Sequence, residues 1–427
     1  MSLVFLWVFL VTMAIGVPIV FALAFGPLVG FLVDGRSAFL TVIPQRLFVG
    51  INVYPLLAIP LFVLAGEIMN VGGITQRLVD FSQKLVGHLR GGLGHVTIVS
   101  ATIFSGISGS AVADASALGK ILIPSMAREG YDRSYAAAVT AAATVLGPII
   151  PPSIIMVIYA YIMQINVAAL FAAGCIPGLI IGIGLMIVNH RVAKRRNYPV
   201  ADRRAPLREV ASSFRGAFWA LVAPFLILGG ILGGIFTPTE AAAAAVLYAA
   251  IISLLVTREL PLREVPNILY RTAVVSSALL LVVGTAMIFS WVASLSGVTA
   301  RLGAFMFSVT DNPYLLLFII NILLFIAGMF LDAGPAILIL GPILAPTLAQ
   351  LGVDPLHFAI VMCVNLSLGL ATPPMGLLLF VVAAMSRVSV LAITRELFPF
   401  YLVHVAVIFL ITYVPEVALW LPRVLGF

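Results

Sequence analysis

The chain has 427 residues, of which 62% are hydrophobic and 9% charged, with mean hydropathy +1.20 and a formal net charge of +7. Soluble domains carry about 25% charge, so no water-soluble fold hides this much apolar surface. Apolar runs of ~20 residues or more without alternation point to membrane helices rather than a β-barrel. Cys175 and Cys363 both sit in apolar segments and the five histidines are scattered, so neither a disulfide framework nor a metal cluster is expected.

Residues 2–33 are apolar throughout, without a basic start. They are too long for a signal-peptide core and read as a retained membrane helix.

An apolar stretch at about 95–127 follows, broken in its middle by "FSGISGSAVAD", residues 104–114. Gly106 and Gly109 free the backbone for a sharp turn, and the hydroxyls of Ser105, Ser108 and Ser110 are hard oxygen donors. The stretch is expected to form a re-entrant helical hairpin, whose non-helical backbone at membrane depth needs partners. Close helix packing through small residues is the other reading of such a run. Asp114, just past the turn, either caps the returning helix, where a negative charge is favourable, or belongs to a site.

The next apolar helix, about 136–160, is interrupted at "GPIIPPS", residues 147–153. Three prolines within five residues do not fit an unbroken helix. The break frees the carbonyls around Gly147, Ile150 and Pro152. Oxygen-only coordination by such carbonyls suits Na⁺, as hard cations prefer oxygen ligands; a proline kink that serves packing alone is the alternative.

Residues 191–215 are the densest basic stretch, with Pro199 and Pro206 among eight arginines and lysines. Placed in the cytoplasm as a linker, this stretch orients everything else. Eighteen of the 23 basic residues then face inside and four outside, while Lys120 lies within the apolar hairpin. The positive charge is thus a topology signal, not a nucleic-acid signal. A basic lipid-binding patch is a second use of the linker.

Both elements recur in the second half. An apolar stretch at about 315–349 turns near "AGMFLDAGP", residues 327–335, and a helix at about 358–384 is broken at "GLATPPM", residues 369–375. Carbonyls of Gly328 and Gly369, with the Thr372 hydroxyl, make a second candidate cation site. Asp332 is a carboxylate inside an apolar hairpin, which costs roughly 2.5–3.5 kcal/mol at a helix centre; it belongs to a substrate or cation site, or it caps or braces the hairpin, where a negative charge at a helix N-terminus is favourable.

Residues 103–163 match residues 325–385 without a gap, at a shift of 222: Gly106 with Gly328, Pro124 with Pro346, Gly130 with Gly352, Asp132 with Asp354, Gly147 with Gly369, Pro151 and Pro152 with Pro373 and Pro374. The charge distribution places the first hairpin on the inside and the second on the outside. The expected fold is therefore an all-α polytopic membrane protein of two inverted-topology repeats, 1–190 and 216–427, joined by the linker 191–215. Helix breakers at matched places in two halves point to a transport site at mid-membrane.

The run "FSGISGSAVADASALGKILIPSM" with the breaks "GPIIPPS" and "GLATPPMG" resembles the large membrane subunit of tripartite ATP-independent periplasmic (TRAP) transporters over essentially the whole chain. The resemblance implies Na⁺-driven import of organic acids such as C4-dicarboxylates or sialic acid across the bacterial inner membrane by an elevator mechanism. It implies a periplasmic substrate-binding protein and a small four-helix membrane subunit, expected to be a separate polypeptide. Carried over by position, one Na⁺ site falls on Ser105, Ser108, Gly147, Ile150 and Pro152, and the other on Gly328, Gly369, Thr372 and Met375. Substrate falls near Ser110 and Asp332, with Asp114 close by. A stand-alone Na⁺/carboxylate symporter shares the architecture. The chain has no GxxxxGK[ST] run and no haem, flavin or nucleophile motif, so it reads as a transporter and not an enzyme.

Overall fold

The computed structural model describes residues 2–200, 204–310 and 312–427; Arg203, one of the eight basic residues of the linker, lies outside them. All regular structure among the described residues is helical. Eight helices are long and apolar enough to cross a membrane, from Tyr54–Val71 to Val390–Tyr413.

The N-terminal stretch corrects the sequence reading. It is two antiparallel helices, Val4–Ala14 and Ile19–Val33, and not one. The chain turns at Gly16, whose φ is +86°, and Pro18 precedes the second helix. Gly26 and Gly30 let the second helix lie directly on Phe5; a Cβ at Gly30 would stand 2.8 Å from the Phe5 Cβ.

Helices Gly92–Ser108 and Ala111–Arg128 form the first hairpin, and Pro313–Phe330 and Ala333–Gln350 the second. Each is followed by a helix in two pieces: Arg133–Thr144 with Ile154–Met163, and Pro355–Gly369 with Leu377–Ser386. These pieces occupy the middle of the molecule. Gly92–Ser108, Arg133–Thr144 and Pro355–Gly369 are buried along almost their whole length. The "AAAVTAAAT" run of residues 136–144 makes this possible, because small side chains let backbones approach closely.

Around this centre stand Tyr54–Val71, Val167–Arg195, Leu207–Leu232, Pro238–Val256 and Leu262–Ser296. Their outward faces carry exposed Phe225, Leu247, Leu269 and Tyr270. Apolar side chains turned outward on this scale mark a surface bathed in lipid. Pro238 opens its helix behind a capping box in which Thr237 and Glu240 satisfy each other's backbone donors.

Positions 222 residues apart take the same local conformation. Gly130 and Gly352 have φ of +88° and +79°, and the Pro151-Pro152 and Pro373-Pro374 bonds are both cis. Ser110 and Asp332 are the N-caps of the returning hairpin helices. The basic stretch is mostly helical: Val167–Arg195 runs into it and Leu207–Leu232 begins in it. Within it, Arg196 is anchored 2.7 Å from Glu396.

Candidate functional site

Both hairpin tips and both helix breaks open into one cavity of about 510 Å³. The first tip supplies Ser108, Gly109 and Ser110, and the second Asp332 and Ala333. Pro148 comes from the first break and Leu370 from the second. The opposite wall is Phe62, Gly66, Glu67 and Asn70 of Tyr54–Val71, with Arg271, Val275 and Leu279 of Leu262–Ser296. The returning helix of the first hairpin adds Ser116 and Lys120.

The first tip and the first break are fitted against each other through glycines. Gly109 turns in the left-handed region, φ +64°, and donates its N–H to the Ser105 carbonyl. A Cβ there would lie 2.5 Å from the Pro152 oxygen. The Gly109 carbonyl accepts the Ile154 N–H at 3.4 Å, which stitches tip to break. Gly147 presses on the hairpin from the other side: a Cβ would stand 2.8 Å from both the Ala111 nitrogen and Asp114 Oδ2.

Asp114 is fully buried at this junction. It is not the cap of its helix; Ser110 is, accepting the Ala113 N–H at 3.4 Å. The Asp114 carboxylate instead accepts the Ser105 hydroxyl at 3.2 Å and the Ser108 hydroxyl by a short bond. Ser105, Ser108, Asp114 and Gly147 thus meet in one cluster. The carbonyls of Gly147, Ile150 and Pro152 accept no hydrogen bond among the described residues, whereas that of Pro148 takes the Ser153 hydroxyl at 2.6 Å. Hard, neutral oxygens without donors beside a carboxylate are the donor set that Na⁺ prefers.

The second tip and break meet in the same way. Gly328 lies on Gly369, so that a Cβ on Gly328 would stand 3.1 Å from the Gly369 Cα. The Met375 N–H reaches the Met329 carbonyl at 3.3 Å. Gly369 is less free than the prolines around it suggest: its carbonyl accepts the Thr372 N–H at 2.9 Å, and the Thr372 hydroxyl donates to Leu368 at 2.9 Å. Both oxygens keep a second lone pair. The Met375 side chain is exposed, so only its backbone faces the break.

Asp332 is the helix cap, accepting the Ala333 N–H at 2.8 Å, and it also lines the cavity. Of the two carboxylates weighed from sequence, the capping role belongs to Asp332, and Asp114 is the one enclosed by hydroxyls.

From sequence Lys120, Arg271 and Glu67 were given no part in the site. Arg271 and Glu67 stand 3.8 Å apart, and Glu67 Oε2 is buried with no hydrogen bond. Lys120 carried a usable signal, a charge inside an apolar hairpin, of the same kind as Asp332. Arg271 carried none, because a helix of 32 residues gives no hint of what faces it. No group of three or more His, Cys, Asp or Glu converges among the described residues.

The family model described as "Tripartite ATP-independent periplasmic transporter, DctM component" matches residues 6–417. The uncharacterized protein YgiK of Salmonella typhimurium is 42% identical over 416 residues, covering 97% of this chain and 95% of that protein. The C4-dicarboxylate TRAP transporter large permease protein DctM of Pseudomonas aeruginosa is 40% identical over 381 residues, 89% of each chain. The sialic acid TRAP transporter large permease protein SiaM of Vibrio cholerae is 38% identical over 408 residues, 96% of this chain and 95% of that one. Among solved structures, the YdaH transporter of Alcanivorax borkumensis superposes with a TM-score of 0.61 at 16% identity, covering 91% of this chain and 89% of its own. MtrF of Neisseria gonorrhoeae does so at 0.56 and 15% identity, covering 89% and 85%. These two show a shared fold.

Proposed function

The chain belongs to the DctM-component family of tripartite ATP-independent periplasmic transporters, and from that premise we propose that it imports organic acids coupled to Na⁺. Its partners in this reading are a small four-helix membrane subunit and a periplasmic binding protein, and its place is the bacterial inner membrane. The relatives named for C4-dicarboxylate and sialic acid set the substrate class: small carboxylates. A stand-alone symporter of the same architecture is not favoured by this membership.

One observation carries the reading. Two hairpin tips and two helix breaks converge on a single cavity that holds opposite charges. Ser110 and Asp332 mark the tips, where a substrate hydroxyl or amide meets a hydroxyl and a carboxylate. Lys120 and Arg271 on the cavity wall offer counter-charges to a substrate carboxylate that Asp332 repels. One cation site rests on Ser105, Ser108, Gly147, Ile150 and Pro152, beside buried Asp114. The other rests on Gly328, Gly369, Thr372 and Met375. Positive charge bound there offsets the carboxylates of Asp114, Asp332 and substrate, which makes loading of cation and anion interdependent.

The wall residues also suggest a state. On the charge-based orientation, Glu67, Asn70 and Arg271 lie toward the cytoplasmic ends of their helices and Lys120 at the middle of its own, so the cavity reaches from the tips toward the cytoplasm. We read this as an inward-open arrangement, in which the hairpins and broken helices move as one body against the outer helices.

The test is uptake into vesicles holding this chain and its small subunit, with binding protein and radiolabelled acid outside. Uptake is expected only with an inward Na⁺ gradient. Equal uptake when K⁺ or choline replaces Na⁺ at matched membrane potential would sink the two-site proposal.

A further inference from the structure

A second cleft, of about 630 Å³, lies away from the cavity, where three helices end. Arg128 closes Ala111–Arg128, Arg133 opens Arg133–Thr144, and Arg387 caps Leu377–Ser386. All three line this cleft over a floor that includes Ile123, Pro124 and Met385.

Charge near a membrane surface has a plain explanation in topology, but topology alone does not gather three arginines from three helix ends around one cleft. Four other basic residues assigned to the same side pair with carboxylates: Arg77 with Glu259 at 2.6 Å, Lys84 with Glu209 at 2.7 Å, Arg196 with Glu396 at 2.7 Å and Arg271 with Glu67 at 3.8 Å; Arg263 and Arg395 have no ion pair among the described residues. The three arginines have no ion pair among the described residues; Arg128 reaches only Ser125 and the Pro124 carbonyl of its own helix. The carboxylate in the lining, Asp132, already accepts the Tyr198 hydroxyl at 2.7 Å and lies 3.5 Å from Arg196.

The fold does not need these charges either. The residues 222 positions after Arg128 and Arg133 are Gln350 and Pro355. The residue that caps the first break's outer helix as Arg387 caps the second's is Gln164; both are left-handed, with φ of 54° and 57°. The same local architecture is therefore built elsewhere in this chain with no cation at any of the three places.

We propose that the cleft of Arg128, Arg133 and Arg387 binds the phosphate of an anionic phospholipid headgroup. Planar guanidinium groups match phosphate oxygens in bidentate fashion, and the apolar floor suits the glycerol and first acyl carbons. The site joins the first hairpin to both broken helices, the elements that also meet at the tip cavity. A lipid held there is bound to the inner body and not to the surrounding helices. The site rests on these side chains and stands whether or not transport is Na⁺-coupled.

Native mass spectrometry of the detergent-purified two-subunit complex, titrated with short-chain phosphatidylglycerol or phosphatidylcholine, tests this. Phosphatidylglycerol is expected to bind about tenfold or more tightly than phosphatidylcholine. Arg133→Gln with Arg387→Gln should erase the difference, while Arg263→Gln with Arg395→Gln, on the same side but outside the cleft, should keep it. If the first pair disrupts assembly, Arg387→Gln alone, at an exposed cap, should still lower phosphatidylglycerol affinity several-fold. Equal retention by wild type and cleft variants, or equal loss in both pairs, overturns the site. Displacement of phosphatidylglycerol by inorganic phosphate at comparable concentration overturns the lipid assignment in favour of a free anion.

Discussion

Asp332 accepts the Ala333 N–H and lines the tip cavity, so alanine at this position removes a cap and a charge together. Asparagine separates the two, because its side-chain oxygen caps a helix about as well as a carboxylate does, whereas alanine costs about 1 kcal/mol. We expect both Asp332→Asn and Asp332→Ala to assemble with the small subunit and to lose at least about tenfold in uptake, the counterpart of one or two kcal/mol of lost interaction. Uptake measured at matched expression decides: normal transport by Asp332→Asn with loss in Asp332→Ala would reduce Asp332 to a cap. Asp114 calls for a different expectation. It is enclosed by the Ser105 and Ser108 hydroxyls, and hydrogen bonds to a charged group contribute roughly 1.5–3 kcal/mol each. Asp114→Ala should therefore lower the thermal midpoint of the purified complex as well as uptake, while Asp332→Asn leaves that midpoint near wild type. A wild-type midpoint for Asp114→Ala would contradict the buried cluster. From sequence both carboxylates were visible as costly charges in apolar hairpins. Which of them caps a helix was not, since that depends on where the turn ends: at Ser110 in one hairpin and Asp332 in the other.

Hairpin and break are separate elements that meet at each tip, and glycine sets how closely they approach. Gly147 has no room for a Cβ, which would press on the Ala111 backbone and on Asp114. Gly369 is tighter still, with a Cβ placed 2.5 Å from the Gly328 Cα. Backbone on the other side cannot rotate out of the way, so each tip must shift, at a cost of typically 1–3 kcal/mol. Gly147→Ala and Gly369→Ala are expected to insert and assemble, to raise the Na⁺ concentration for half-maximal uptake several-fold, and to leave vesicle incorporation unchanged. Unaltered Na⁺ dependence in both would separate the tip contacts from cation binding. These breaks were legible because proline lacks a donor and glycine lacks a side chain, and both act locally. The N-terminal turn at Gly16 and Pro18 used the same signal, but about thirty apolar residues in a row read as a single span. The wall of the cavity was not legible at all. Lys120 and Arg271 line the same cavity from helices far apart in sequence, and nothing in the local pattern of either helix records the other.

Across the whole molecule, orientation decides what the cavity and the arginine cleft face. Basic residues accumulate on the cytoplasmic side, and the densest set lies between Arg191 and Arg215. In the structure the described ones among them flank the end of Val167–Arg195 and the start of Leu207–Leu232, so they share one end of the molecule. Asn312, which caps the outgoing helix of the second hairpin, stands at the start of Pro313–Phe330, in a stretch assigned to the opposite side. Both Ser212 and Asn312 are exposed, and the native cysteines are half-buried Cys175 and buried Cys363. Single cysteines at Ser212 and Asn312, in a background where Cys175 and Cys363 are alanine, therefore report the two faces by reaction with an impermeant thiol reagent on intact cells. We expect Asn312→Cys to label at once and Ser212→Cys to label only after the membrane is opened. The reverse pattern would turn the molecule over. The cavity wall of Glu67, Lys120 and Arg271 would then face the periplasm, the arrangement would be outward-open, and the positive charge of the linker would meet the incoming substrate rather than the cytoplasmic leaflet.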